Sequence, residues 1–295
     1  MGQLARQDKS ADKPLNGGST SCGADSDGSA QMPLVDVVAA DLYYGEDEEG
    51  VLALQGTSIA IRRGEFAAVV GPSGCGKSTL LKLISGLGRA SAGRVVVGGV
   101  NVTAPLKIVG MAFQNPALLP WRTTLANLLL PLEIVSPHRQ RIRRSQQRHI
   151  YVETARKLLD EVGLRGMETR FPWQLSGGMQ QRVSLCRALI HNPEILLLDE
   201  PFGALDAFTR EELWDVLQRL WLEQHFTVLL VTHDLTEAAY LADTIHVMSK
   251  RPGRVIFSAR IDLPRPRTAE MRYQPNFIDK VHELRRHIGR AREAS

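Results

Sequence analysis

An α/β fold on a mainly parallel sheet is predicted by three observations in this chain. First, the runs at residues 66–70 (FAAVV), 108–113 (IVGMAF), 195–198 (ILLL) and 226–231 (FTVLLV) are nearly continuous rather than alternating in apolar character, as in strands covered on both faces. Second, between the last two runs Leu213, Trp214, Leu217, Leu220 and Trp221 recur at three- and four-residue steps, so an amphipathic helix completes a βαβ unit. Third, the first run leads into a glycine-rich stretch at residues 71–79 (GPSGCGKST), which opens a helical pattern at Leu80, Leu81, Leu83 and Ile84.

The elements follow in order. Residues 1–32 are rich in Gly, Ser, Asp and Ala with almost no large apolar side chains, so they cannot bury enough surface to offset chain entropy and are expected to form a disordered tail. Folded structure is expected from near Leu34 to about residue 263. Within it, residues of about 115–190 read as a helical insertion: Pro116, Pro120, Pro131 and Pro137 give way to a helical stretch at 151–162 and another after Ser176. Two short strands, at 244–248 and 254–259, precede a proline-punctuated stretch at 263–267 (LPRPR); residues 264–295 read as a linker and a last amphipathic helix carrying Phe277, Ile278, Val281, Leu284 and Ile288. Whether that helix packs on its own subunit or joins a dimer is open at this level. No internal repeat is visible.

Composition narrows the class. No stretch approaches the ~18 consecutive apolar residues of a membrane helix, and no basic-then-apolar leader opens the chain, so the protein is expected neither to span a membrane nor to be secreted. Cys22, Cys75 and Cys186 are too scattered for a disulfide framework or a zinc site and suit a reducing cytosol. The formal charge of +4 is mildly basic, with much of the excess in residues 138–148 (HRQRIRRSQQR) and 285–292 (RRHIGRAR). These clusters read as solvated helix faces, with a docking surface for acidic protein or lipid headgroups as the alternative. No nucleic acid partner is expected.

The chemistry lies where strands end. Gly71, Gln114, Asp199 with Glu200, and His233 each follow one of the four apolar runs, so all are predicted at the carboxyl edge of one sheet, where open α/β sheets bind ligands. Residues 71–79 fit G-x-x-x-x-G-K-[ST] in the required setting between strand and helix. Gly71, Gly74 and Gly76 let backbone N–H groups turn inward on phosphate oxygens, with Pro72, Ser73 and Cys75 completing the loop, and the helix dipole faces the same anion. Lys77 would bridge β- and γ-phosphates, Ser78 would ligate Mg2+, and Thr79 would hold the α/β region. Asp199 and Glu200 close an aliphatic strand, a costly place for two carboxylates without a cation to meet them. Asp199 would hold the metal, and Glu200 would polarise the water that attacks phosphorus. Cys75 lies beside Lys77 at a helix N-terminus, where thiolate is favoured. The sequence leaves open whether it is a reactive thiol or an ordinary small filler of the loop.

A second anion site opens at residues 175–182 (LSGGMQQR), with Ser176 at an N-cap position and Gly177 and Gly178 freeing backbone N–H groups. With this segment, the motif set of residues 34–265 resembles the ATP-binding subunit of an ABC transporter. The resemblance implies a P-loop NTPase core, a parallel sheet flanked by helices with an N-terminal antiparallel β portion, and an inserted α-helical subdomain. It implies ATP and Mg2+ as ligands and a homodimer in which Ser176, Gly177, Gly178 and Gln180 of one copy close over the γ-phosphate bound by the other. It further implies an aromatic stacked on adenine, for which Tyr44 is chosen with Tyr43 close behind, and Asp206 as a link between the two sites. His233 would contact the γ-phosphate; Gln114 would sense metal and water while linking to transmembrane permease subunits.

Residues 118–133 (LLPWRTTLANLLLPLE), 249–255 (SKRPGRV) and 262–267 (DLPRPR) look like the nitrate, sulfonate and taurine importer branch. Such a subunit is peripheral on the cytoplasmic face of the membrane and is served indirectly by an extracytoplasmic solute-binding protein. The short C-terminus differs from that of sugar importers, which append a regulatory domain. The alternative is a soluble ATP switch of the same cassette type acting on nucleic acid or the ribosome. Such proteins usually carry paired cassettes, or long coiled-coil or zinc insertions, none of which is seen. A P-loop kinase or GTPase leaves LSGGMQQR unexplained, and no N-K-x-D element is present.

Overall fold

The computed structural model describes residues 32–45, 50–203 and 205–293. The expected tail, Met32 apart, lies outside them, as does the acidic stretch at 46–49. The strands are β1 (Val35–Tyr44), β2 (Val51–Ile61), β3 (Phe66–Val70), β4 (Ala92–Val97), β5 (Val100–Asn101), β6 (Val109–Ala112), β7 (Ile195–Asp199), β8 (Thr227–Thr232), β9 (Thr244–Met248) and β10 (Val255–Arg260). The helices are α1 (Lys77–Ser85), α2 (Thr124–Ile134), α3 (His138–Arg141), α4 (Ser145–Glu161), α5 (Gly177–Leu189), α6 (Ala207–Gln224), α7 (Leu235–Leu241) and α8 (Pro275–Glu293). Among the described residues, no helix is long and apolar enough to cross a membrane.

The strands form two sheets. A four-stranded antiparallel sheet runs β2-β1-β4-β5, and a six-stranded sheet runs β10-β9-β3-β8-β7-β6. In the larger sheet β9, β3, β8, β7 and β6 are parallel, and only β10 is antiparallel, against β9. The fold is therefore the P-loop NTPase type, with an N-terminal antiparallel portion. Helices α2 to α5 lie between β6 and β7 in the chain.

Side-chain alternation along the central strands explains why their sequences look uniformly apolar. Phe66, Ala68 and Val70 of β3 join a core with α5, α6, α7 and α8, while Ala67 and Val69 join a second core with α1 and the antiparallel sheet. Leu196 and Leu198 of β7 likewise face the first core, and Ile195 and Leu197 the second. Both faces are covered, so no polar alternation survives.

Two connections fix the site's surroundings. Gly253, between β9 and β10, stitches the sheets together: its N–H donates to the Ala53 carbonyl (2.9 Å), and its own carbonyl accepts from Gln55 N–H (3.0 Å) and Thr57 Oγ1 (2.9 Å). A Cβ there would stand 2.1 Å from the Cys75 carbonyl in the glycine loop, so only glycine admits this approach. The other connection is the terminal segment. Helix α8 packs on its own chain, burying Phe277 and Leu284 against α7, β9 and β10. Within the proline-rich stretch before it, Arg265 stacks over the Trp221 ring, 4.3 Å from the centroid, and pairs with Asp243.

Candidate functional site

The parallel register brings the strand ends level. Val70 pairs with Thr232, Asp199 with Val231, and Ala112 with Leu198, so the residues after each strand share one edge. Between β3 and α1, Gly76 takes a left-handed conformation (φ 102°) as the helix N-cap, open to glycine without strain. Lys77, the first residue of α1, is only 5% exposed, and its Nζ donates to the carbonyls of Gly71 and Pro72 at 3.0 Å each. It is a buried cation with no carboxylate in its hydrogen-bonding shell, a setting that fits an incoming anion.

Opposite it, Ser78 Oγ donates to Asp199 Oδ1 at 2.9 Å. Burial raises the Asp199 carboxyl above its usual range, with the Glu200 charge acting the same way, while the Ser78 bond opposes the rise. Glu200 has φ 45°, uncommon for a residue with a side chain and a mark of local strain at a site; its N–H donates to the Val231 carbonyl (2.9 Å). Its Oε2 lies 3.0 Å from His233 Nδ1. Tyr44 completes the near side, its hydroxyl 3.2 Å from Thr79 Oγ1. Tyr44 and Tyr43 are both half exposed.

Other expected residues stand apart. Gln114 is exposed just beyond β6, and the carbonyl of Phe113 before it accepts from Gln181 Nε2 (3.1 Å). Ser176 caps α5 by accepting from Met179 N–H (3.2 Å), while Gln180 Nε2 is held by the carbonyls of Pro172 (3.0 Å) and Leu175 (3.2 Å). A Cβ at Gly177 would meet nothing within 4 Å, and one at Gly178 would meet Leu205 at 3.0 Å. Among the described residues, no hydrogen bond joins this segment to the glycine loop. Asp206 caps α6 from an exposed position by accepting from Thr209 N–H (3.0 Å), and that backbone bond holds its carboxyl below the usual range.

The reactive thiol allowed at Cys75 is not what the fold builds. Its side chain is fully buried beneath the loop, and desolvation raises its pKa despite the attraction of Lys77. Burial outweighs the helix terminus here. The residue fills space, and its sulfur is turned away from solvent.

A support shell behind His233 went unread in the sequence. Asp234 caps α7, its Oδ1 accepting from Thr236 N–H (2.8 Å) and Glu237 N–H (3.2 Å), and its Oδ2 lies 3.4 Å from Arg210 Nη1. Thr232 Oγ1 accepts from Asp234 N–H (3.0 Å) and donates to Glu237 Oε2 (3.1 Å). The signal was present as D-x-x-E at 234–237, an N-cap acid followed three residues later by glutamate. Glu237 is buried, and desolvation, reinforced by the charges of Asp234 and Glu200, pushes its pKa up to about 8. Between the ordinary glutamate value of about 4.3 and about 8, the folded state binds the extra proton, so this group's contribution to stability falls as pH rises through that window. Glu237→Gln, which mimics the protonated form, is expected to gain stability over wild type from pH 5 to pH 8 in urea titrations. A difference that stays flat with pH would contradict this.

The segment at residues 54–203 matches the ABC transporter family, and the chain belongs to that family as one of its ATP-binding, ATP-hydrolysing subunits. It is 43% identical over 225 residues to the aliphatic sulfonates import ATP-binding protein of Bacillus licheniformis, covering 76% of this chain and 84% of that one. It is 45% identical over 208 residues to the taurine import ATP-binding protein of Yersinia pestis, covering 70% and 78%. The dimeric structure of an ATP-binding cassette in a post-hydrolysis state, bound to ADP and phosphate, superposes with a TM-score of 0.69 at 32% identity, over 78% of this chain and all of the other.

Proposed function

We propose that this chain is the energy-coupling subunit of an importer for nitrate, a sulfonate, taurine or a related small solute, working as a homodimer on the cytoplasmic face of a membrane permease. The import activities in the names of its relatives support the solute class, and the dimeric cassette it resembles supports the pairing. In this reading a solute-binding protein outside the membrane delivers the cargo. The observation that carries the proposal is the paired arrangement beside Lys77: Ser78 with Asp199, and Glu200 with His233, on adjacent strand ends.

Each residue has a task set by its place. Lys77 exchanges its two carbonyl partners for phosphate oxygens, which compensate a buried ammonium better. The Ser78 and Asp199 oxygens, 2.9 Å apart, suit a hard cation, whose charge would counter the burial that raises the Asp199 carboxyl. Mg2+ held there by Ser78 and Asp199, with Gln114 from the neighbouring strand end, would neutralise charge on the β- and γ-phosphates. Glu200 orients the attacking water, His233 faces the γ-phosphate from the end of β8, and Tyr44 offers its ring to adenine. Ser176, Gly177, Gly178 and Gln180 act across the dimer on the partner's nucleotide, and Asp206 communicates between the two sites.

Lys77→Ala tests the assignment. Removing the charge-assisted bonds to phosphate is expected to weaken ATP binding about tenfold or more, read by equilibrium binding of a fluorescent ATP analogue to the full-length chain. Wild-type affinity in that variant would refute the phosphate site.

A further inference from the structure

The terminal helix reaches the nucleotide site. Arg285, Ile288 and Gly289 of α8 line one cleft, of about 580 Å3, together with Gly71 and Ser73 of the glycine loop and His233. The helix is fixed in that position by buried Phe277 and Leu284. Arg285 is exposed, and among the described residues it is in no ion pair. Among the described residues that line the cleft, the one carboxylate, Asp234, is already engaged by the α7 N-terminus and Arg210. A guanidinium in no ion pair among the described residues thus shares a cleft with the glycine loop.

Gly289 adds an independent observation. It lies in the interior of α8, where glycine is the weakest helix former after proline, and a Cβ there would meet nothing within 4 Å. Local helix stability gives no reason for it. Gly289 lines the same cleft, and its missing side chain leaves that space open.

We propose that α8 forms a wall of the phosphate end of the site and that Arg285 binds phosphate oxygens there. The anion is the terminal group of bound ATP or the free phosphate left after cleavage; the chemistry recognised is the same. The proposal rests on the nucleotide reading above and extends it to a segment outside the motifs that define the cassette. A forked guanidinium matches phosphate geometry, and Arg285, being exposed, contributes through a screened interaction of modest size.

The test compares ATPase kinetics of the full-length chain with those of Arg285→Ala, Arg285→Lys, Arg286→Ala and Gly289→Leu, with inorganic phosphate as the product probe. Arg285→Ala is expected to raise KM for ATP about three- to fivefold if it holds the γ-phosphate, or to weaken inhibition by phosphate about as much if it holds the free ion. Arg285→Lys recovers part of either effect, and high salt narrows the gap from wild type. Arg286→Ala, the neighbouring arginine that does not line the cleft, matches wild type. Gly289→Leu lowers turnover by filling the cleft while strengthening the helix, so its loss is not one of folding. Arg285→Ala matching Arg286→Ala in both readouts would overturn the proposal, as would equal losses in Arg285→Ala and Arg285→Lys, which would assign the effect to helix docking. Lys77→Ala separates the two readings: retained ATP binding there fails the nucleotide site itself, whereas its loss beside a silent Arg285→Ala fails only this extension.

Discussion

Glu200→Gln is expected to bind ATP at least as well as wild type and to lose turnover by on the order of a hundredfold or more, the scale for removing a residue that orients and polarises the attacking water. Glutamine keeps the size of the side chain and can still meet His233 Nδ1, which lies 3.0 Å from Glu200 Oε2, so the geometry of the edge survives while the basic oxygen is lost. The Glu200 charge also contributes to raising the Asp199 carboxyl; removing it favours an ionised Asp199 ready for a cation. Binding and turnover should therefore separate, with ATP-bound dimers accumulating. Single-turnover hydrolysis and size-exclusion chromatography with ATP check both halves. Unchanged turnover would take Glu200 out of the mechanism.

The sequence revealed the edge of the sheet because each candidate residue there follows closely on a nearly continuous apolar run, a signal that depends on local order alone. Gly71, Asp199 and His233 needed only the rule that parallel strands end level, and the register bears this out. The antiparallel sheet was harder to read. Strand β1 carries bulges near Ala39, which has φ 46°, and its register shifts repeatedly against β2, so polar and apolar residues lose strict alternation. Depth was harder still. Cys75 beside Lys77 carries the local mark of a reactive thiol, yet its side chain is fully buried in a core to which distant residues such as Leu54 and Met248 contribute. In the LPRPR stretch, prolines and arginines together look solvated, whereas the fold buries Arg267 to 2% exposure. What decides these cases is contact between distant segments, and no local pattern encodes it.

Arg267→Ala is expected to destabilise the chain by about 3–5 kcal/mol, the range for leaving buried polar groups unpaired in addition to a cavity. The guanidinium donates from Nη1 to the carbonyls of Ala239 (2.9 Å), Tyr240 (3.1 Å) and Ala242 (2.7 Å), and from Nη2 to that of Ile261 (3.2 Å). Ala239 and Tyr240 are in the last turn of α7 and Ala242 is its C-cap, so these are carbonyls that no intrahelical N–H can satisfy. A fixed positive charge also meets the negative end of the helix dipole there. The Arg267 backbone is held as firmly, its N–H donating to Gln218 Oε1 (2.7 Å) and its carbonyl accepting from Gln218 Nε2 (2.9 Å) and the Tyr240 hydroxyl (2.6 Å). Alanine keeps those backbone bonds and removes only the cap, so the loss can be assigned to the side chain. Because α7 is short and carries His233 and Asp234 just before its first turn, fraying from its far end should also loosen the histidine at the site. Urea unfolding of the full chain measures the first effect; loss of ATPase at urea concentrations below the global transition measures the second. A destabilisation under about 1 kcal/mol, the net worth of an ordinary hydrogen bond, would show that the helix holds itself and that the arginine is incidental to it.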